Sequence, residues 1–185
     1  MTLIVRSAHG CAPGPAVNGG GAQHPHSVQP ASADGGIADG RGLVAALSLG
    51  ACGVWVGTRF VATIEASGHD NYKHKIVEAT DEGTQVTKCF TGKDCRVIGN
   101  RYLDQWEDRQ GEIKPFPFQM MVDSSKMDAA IGHGDTDLGL MPAGQISGAI
   151  QEVKSAADVV REMMEEAEEV LQKLAEKHLE LQAAQ

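Results

Sequence analysis

Two glycine loops hold the residue types most suited to chemistry in this sequence. One is Asp34-Gly35-Gly36-Ile37-Ala38-Asp39-Gly40-Arg41-Gly42, and the other is Gly57-Thr58-Arg59-Phe60. Without a Cβ, the backbone at Gly35 and Gly36 can approach a ligand closely and turn N–H groups toward an anion. Gly57 directly follows the apolar run Val54-Trp55-Val56, and Thr58 adds a hydroxyl donor. The stretch from Gly36 to Gly57 has the length of one βα unit. In an α/β barrel, consecutive strands bring their C-terminal loops side by side, and two glycine loops in tandem form a phosphate cup, usually after strands seven and eight. A lone glycine pair marks only a turn; two such loops separated by a small-residue helix are more specific. No G-x-G-x-x-G follows a strand with an acid further on, which disfavours a dinucleotide site of the Rossmann kind.

The elements that would position these loops are legible in outline. Leu43, Ala45, Ala46 and Leu47 give a small apolar helix face ended by Gly50 at its C′ position. Asp39 and Arg41 are read either as a cap or brace of this helix or as plain surface charge. Val54, Trp55 and Val56 read as a short buried strand, with Cys52 beside it in the core. Residues 65 to 79 read as a polar helix, and residues 83 to 97 as strand-like segments joined by turns. Residues 98 to 118, with Trp106 and the PFPF run, read as an irregular surface segment. Residues 123 to 140 read as a short, Gly/Asp-rich stretch holding the loop GHGDTDLG. The last element is a long helix with Ser155 as N-cap and Asp158 three residues on, a variant of the capping box. Val159, Val160, Met163, Met164, Ala167, Val170, Leu171 and Leu174 form its apolar face, opposite a solvated face of Glu165, Glu166, Glu168 and Glu169. It reads as an amphipathic helix docked on its own domain; a partner-binding coiled coil has only two or three heptads to draw on.

Composition sets wider bounds. The chain has 185 residues, 42% of them hydrophobic, with a formal net charge of −9. It is long enough for one real core, and its charge makes a nucleic-acid backbone an improbable partner. The four cysteines show no CxxC spacing, and His69, His74 and His133 no ligand-like spacing, so free thiols and no metal are expected. MTLIVRS is too short an apolar run for a signal peptide or a membrane span, and a soluble cytoplasmic protein is the default. Residues 1 to 33 are rich in Gly, Pro, Ala, Ser and His and read as irregular, with a short strand at residues 2 to 5.

The string GGIADGRGLVAALSLGACGVWVGTRFVAT resembles the nitronate monooxygenase family, formerly called 2-nitropropane dioxygenases. The resemblance continues through TGKDCRVIGNRY, PFPFQ and Pro142-Ala143-Gly144-Gln145, and covers residues 33 to 175. It implies an α/β fold, the C-terminal part of a (β/α)8 TIM-type flavin barrel, with residues 34 to 185 as a partial barrel ending in the amphipathic helix. A complete barrel needs roughly 250 residues, so the barrel is expected to be incomplete. By the same resemblance, Gly35, Gly36, Ile37, Gly57 and Thr58 hold the phosphate of FMN, Gln145 lies near the flavin, and Met141 stands where a Trp is often found. The family's catalytic histidine sits in a Gly-Gly-His loop upstream. Here the candidate is His9, preceded by Ser7-Ala8, with His24 and His26 as further candidates; an imidazole titrating near neutrality suits the role. The strand leading into Gly35 departs from the family pattern: Pro30 would break a central ladder, and Asp34 would repel a phosphate.

The implied reaction is FMN-dependent oxidation of alkyl nitronates by oxygen to a carbonyl compound and nitrite, with small-molecule partners, no membrane, and a homo-oligomer left open. Two alternatives stand beside it: a related flavin reductase of an enoyl thioester or quinone, and a truncated, non-catalytic fragment.

Overall fold

Asp39 decides where the first long helix begins. Its carboxylate accepts from the Gly42 N–H at 2.9 Å, an N-cap that satisfies one of the donors every helix start leaves open. The computed structural model of the chain describes residues 3–6, 32–122 and 124–183, and within it helix α1 spans Gly40–Ser48. The helix closes as the glycine signal requires. Gly50 adopts φ 95°, its N–H donates to Leu47 O, and the Ala51 N–H donates to Ala46 O, both at 3.0 Å. This paired closure needs a left-handed residue at that position.

α1 links strands β2 (Ser32–Asp34) and β3 (Gly53–Val56), which pair in parallel with Ala33 opposite Val54. A parallel pair joined by a helix is the βαβ unit anticipated from the sequence. Strand β1 (Leu3–Arg6) takes the other side of β3 and runs antiparallel, Val5 opposite Val54. Barrel strands are all parallel, so β2 and β3 alone have the barrel direction in this sheet. β3 alternates faces: Val54 and Val56 are buried, whereas Trp55 is 41% exposed. The expectation that all three are buried fails at Trp55 because successive strand side chains point to opposite faces. Cys52, expected in the core, is half-buried at the mouth of this strand.

The chain divides into two compact units. One comprises the described residues of Thr2–Val56 with those of Glu162–Gln185; the other is Gly57–Arg161. In the first, α1 meets the Glu162–Ala183 part of the last helix, α7 (Ala156–Ala183). The Gly40 N–H donates to Glu166 Oε2 at 2.8 Å. A Cβ on Gly40 would lie 2.5 Å from Met163 O and 2.8 Å from Glu166 C; the backbones are too close for any larger residue. Met163 and Ala167 are buried there. Glu166, expected on the solvated face, is instead a bridge to the start of α1. Leu171 and Leu174, expected in the apolar interface, are each 53% exposed. Periodicity defines a face but does not show how far a neighbour extends along it.

The second unit begins with α2 (Thr58–Val61) and α3 (Asp70–Glu78). Strands β4 (Thr84–Thr87) and β5 (Cys95–Ile98) then form an antiparallel hairpin. α4 (Arg101–Asp104), a 3₁₀ segment (Glu107–Glu112), α5 (Phe118–Val122) and α6 (Ser124–His133) follow. Residues 98 to 118 are therefore not an irregular surface segment. Tyr102, Leu103 and Trp106 are buried in a cluster with Cys89, Phe90, Val97 and Leu140, and the Phe90 and Tyr102 ring centroids are 4.8 Å apart. The stretch 123 to 140, read as short and loop-like, contains α6. Gln119 of the PFPFQ run is buried, donating to Cys89 O at 2.6 Å and accepting from the Lys114 N–H at 2.9 Å. At the base of α7, Ser155 caps as expected: its Oγ donates to Asp158 Oδ2 at 2.6 Å and accepts from the Asp158 N–H at 3.1 Å. Among the described residues, no helix is long and apolar enough to cross a membrane.

The Asp39 cap gives a first testable prediction. Burial opposes ionisation of this carboxyl, but the Gly42 N–H and the Arg41 guanidinium, 2.6 Å away, outweigh it and hold the group below the usual carboxylate range. A depressed folded-state pKa means that the folded chain binds fewer protons, so this contribution to stability is present above about pH 4 and is lost as pH falls further. Asp39→Ala is expected to cost about 1 kcal/mol at neutral pH, measured by urea unfolding. The difference from the parent should shrink below about pH 4 as the parent's carboxyl is protonated.

Candidate functional site

The first glycine loop sits at the C-terminal end of β2. Gly35 has φ 78° and Gly36 φ 72°, two consecutive left-handed residues that most side chains would strain. A Cβ on either would meet nothing within 4 Å; the requirement for glycine is one of backbone conformation, and the space around the loop is open. The Gly35 N–H is already committed, donating to Trp55 O at 3.2 Å as a last rung on β3. Among the described residues no partner is found for the N–H of Gly36 or Ile37. Ile37 turns its side chain into the core, which fixes the exit of the loop. The first turn of α1 is not open to an anion: Asp39 holds the Gly42 N–H, and Glu166 holds that of Gly40. The Gly36 and Ile37 N–H groups, ahead of the helix, are left for a ligand to meet.

In the other unit, Gly57 is exposed and precedes α2. Thr58 Oγ1 accepts from the Gly144 N–H at 3.0 Å. A hydroxyl used as acceptor keeps its own proton to donate. Gly144 O in turn accepts from Ser147 Oγ at 2.7 Å. Gln145 opens the 3₁₀ segment Gln145–Ala149 and is exposed. Thr58 and Gln145, far apart in sequence, are thus brought to one loop. The approach to that loop is fixed along β5: the Ile98 N–H donates to Met141 O at 3.0 Å, the Ala143 N–H donates to Arg96 O at 3.2 Å, and Tyr72 Oη donates to Pro142 O. Burial pushes the Tyr72 phenol well above its usual range, with Cys95 adding to the effect, so it stays a neutral donor. Met141 is buried and fills core space.

Tyr72, Gly144, Ser147 and Glu166 support these loops, a role their residue types do not signal in the sequence. Ser147 acts on nearby Gly144, whereas the Tyr72–Pro142, Thr58–Gly144 and Gly40–Glu166 contacts span tens of residues and no local spacing signals them. His9, His24 and His26 lie outside the described residues. His69, His74 and His133 are exposed, as expected; the His69 ring caps α3 by accepting from the Asn71 N–H. Among the described residues no group of His, Cys, Asp and Glu could hold a metal ion.

Thr58→Val would leave the Gly144 N–H without its acceptor. A loss of about 1–2 kcal/mol is expected, read as a lower urea midpoint at unchanged slope.

The family model described as nitronate monooxygenase matches residues 22–166. A probable nitronate monooxygenase of Staphylococcus aureus strain MSSA476 is 34% identical over 143 residues, which is 77% of this chain and 40% of that protein. Its counterpart in strain JH9 is 38% identical over 116 residues, 63% of this chain and 33% of that protein. Among solved structures, FabK from Thermotoga maritima superposes with a TM-score of 0.69 at 34% identity, covering 80% of this chain and 47% of that one. Nitroalkane oxidase from Streptomyces ansochromogenes gives 0.70 at 28% identity, covering 80% and 42%. The chain spans less than half the length of each of these relatives.

Proposed function

Because the chain belongs to the nitronate monooxygenase family and its fold is part of a flavin-type (β/α)8 barrel, we propose that it binds FMN and serves the oxidation of alkyl nitronates by oxygen to carbonyl compounds and nitrite. The observation that carries this reading is the pair of left-handed glycines, Gly35 and Gly36, at the C-terminal end of a parallel strand. That is where barrels of this kind take phosphate. Bound FMN would supply the redox chemistry, accepting electrons from the nitronate and passing them to oxygen.

The chain's own residues have narrower tasks. Gly36 and Ile37 offer backbone N–H groups to a phosphate. Gly35, its N–H committed to Trp55, sets the curvature of the loop. In the other unit, Gly57 offers an exposed N–H, and Thr58 a hydroxyl proton held in direction by Gly144. Gln145 is assigned to the flavin side of its loop. His9 is assigned as the base that takes a proton from the carbon bearing the nitro group, or orients the nitronate.

Oxygen uptake tests the reaction. With FMN and an alkyl nitronate, the full chain should consume oxygen and release nitrite; His9→Ala should lower turnover of the neutral nitroalkane, which still carries the proton to be removed, at least tenfold. Nicotinamide oxidation without nitronate turnover would favour the enoyl-thioester or quinone reductase. Neither activity would favour a non-catalytic chain.

A further inference from the structure

The stripe that docks α7 does not stop where its docking stops. Met163 and Ala167 are buried against the α1 unit. Beyond them Leu171, Leu174, His178 and Leu181 continue from Ala167 at alternating steps of four and three residues, the spacing of a coiled-coil seam. Here the seam is bare: Leu171, Leu174 and Leu181 are 53%, 53% and 58% exposed. Every residue from Leu171 to Ala183 is exposed. The family match ends at residue 166, so this seam lies outside the matched domain. A helix end of this length is marginal in water without a packed face.

We propose that the free end of α7 pairs with the same segment of a second copy of this chain, antiparallel, with Leu171 layered against Leu181 of the other copy and Leu174 against His178. Charge distribution selects this occupant and this direction. Glu162, Glu165, Glu166, Glu168 and Glu169 crowd the segment before the seam, whereas Lys173 and Lys177 balance Glu176 and Glu180 within it. The seam itself is therefore close to neutral and free to meet its own copy. A parallel pair would set five glutamates beside five; an antiparallel overlap keeps those acidic segments at opposite ends and also opposes the helix dipoles. Two such stripes bury on the order of 1,000 Å² together, the lower edge of specific interfaces, so the dimer is a weak, reversible one. The inference goes beyond the proposed flavin chemistry and does not depend on it.

Sedimentation velocity of the full chain from about 1 to about 200 μM tests it. The mass should rise from monomer to dimer, and the Leu174→Glu/Leu181→Glu variant should remain monomeric over the same range. Leu179→Glu, an equally exposed position off the seam, should still dimerise, which separates loss of the seam from general damage. Small-angle scattering of the dimer should show the two bodies at opposite ends of the shared helix pair. A parent chain that stays monomeric throughout, or a dimer that survives Leu174→Glu/Leu181→Glu, would overturn the proposal; two bodies side by side would overturn its direction.

Discussion

Gly40→Val is expected to destabilise the chain by about 3 kcal/mol, the upper range for overpacking. The physical basis is unusually direct. A Cβ at this position would lie 2.5 Å from Met163 O and 2.8 Å from Glu166 C. Both obstacles are backbone atoms of α7, so no side-chain rotation relieves the clash; the two helices must separate. Separation also breaks the 2.8 Å bond from the Gly40 N–H to Glu166, leaving a helix donor and a part-buried carboxylate poorly paired. The measurement is the urea midpoint followed by helical circular dichroism. Gly42→Ala is the control: its Cβ would meet Ile37 Cγ2 at 3.2 Å and no backbone atom closer than 3.6 Å, so a shift of a side chain suffices and it should cost far less.

The second large effect falls on ligand binding. Gly36→Val is expected to weaken FMN binding roughly 10- to 100-fold, because a branched residue held at φ 72° costs about 1–3 kcal/mol and will relax by distorting the loop. Nothing lies within 4 Å of the added Cβ, so steric exclusion contributes little. Gly36→Asn separates the two causes. Asparagine tolerates the left-handed region, so it should retain most of the affinity if conformation is what matters. Fluorescence titration of FMN into each variant reads the difference.

How far the sequence reaches can be judged residue by residue. The α1 unit was legible because its signals are local: Gly50 as C′ residue and a β–helix–β spacing between two glycine loops, whereas Asp39, readable as a cap or as surface charge, is decided by its bond from the Gly42 N–H. The helix-end signals act within four or five residues of themselves, and the strand spacing within one βα unit. Trp106 escapes a periodic reading because it lies in the turn between a one-turn helix and a 3₁₀ segment, both too short for a period to show, although the ring is buried. Glu166 was misread because its partner, Gly40, is 126 residues away and the pairing depends on two backbones meeting where glycine permits. Leu171 and Leu174 were placed on the correct face but given a neighbour that α7 has by then outrun. At the site, the left-handed glycines were foreseeable from residue type. The commitment of the Gly35 N–H to Trp55, and of the Gly40 N–H to Glu166, follows only from the register of β2 on β3 and the approach of α7. Those contacts move the expected anion ligands from Gly35 toward Gly36 and Ile37.

The most direct measurement is FMN binding by the purified full chain. Flavin emission on titration should be quenched to a saturable end point, with the visible band shifted from that of free flavin, and inorganic phosphate at high concentration should compete. Gly36→Val should weaken the binding and Gly36→Asn should largely spare it. A folded chain that leaves FMN emission unchanged, or that binds it equally well as Gly36→Val, would contradict the assignment of the Gly35–Ile37 loop to a flavin phosphate.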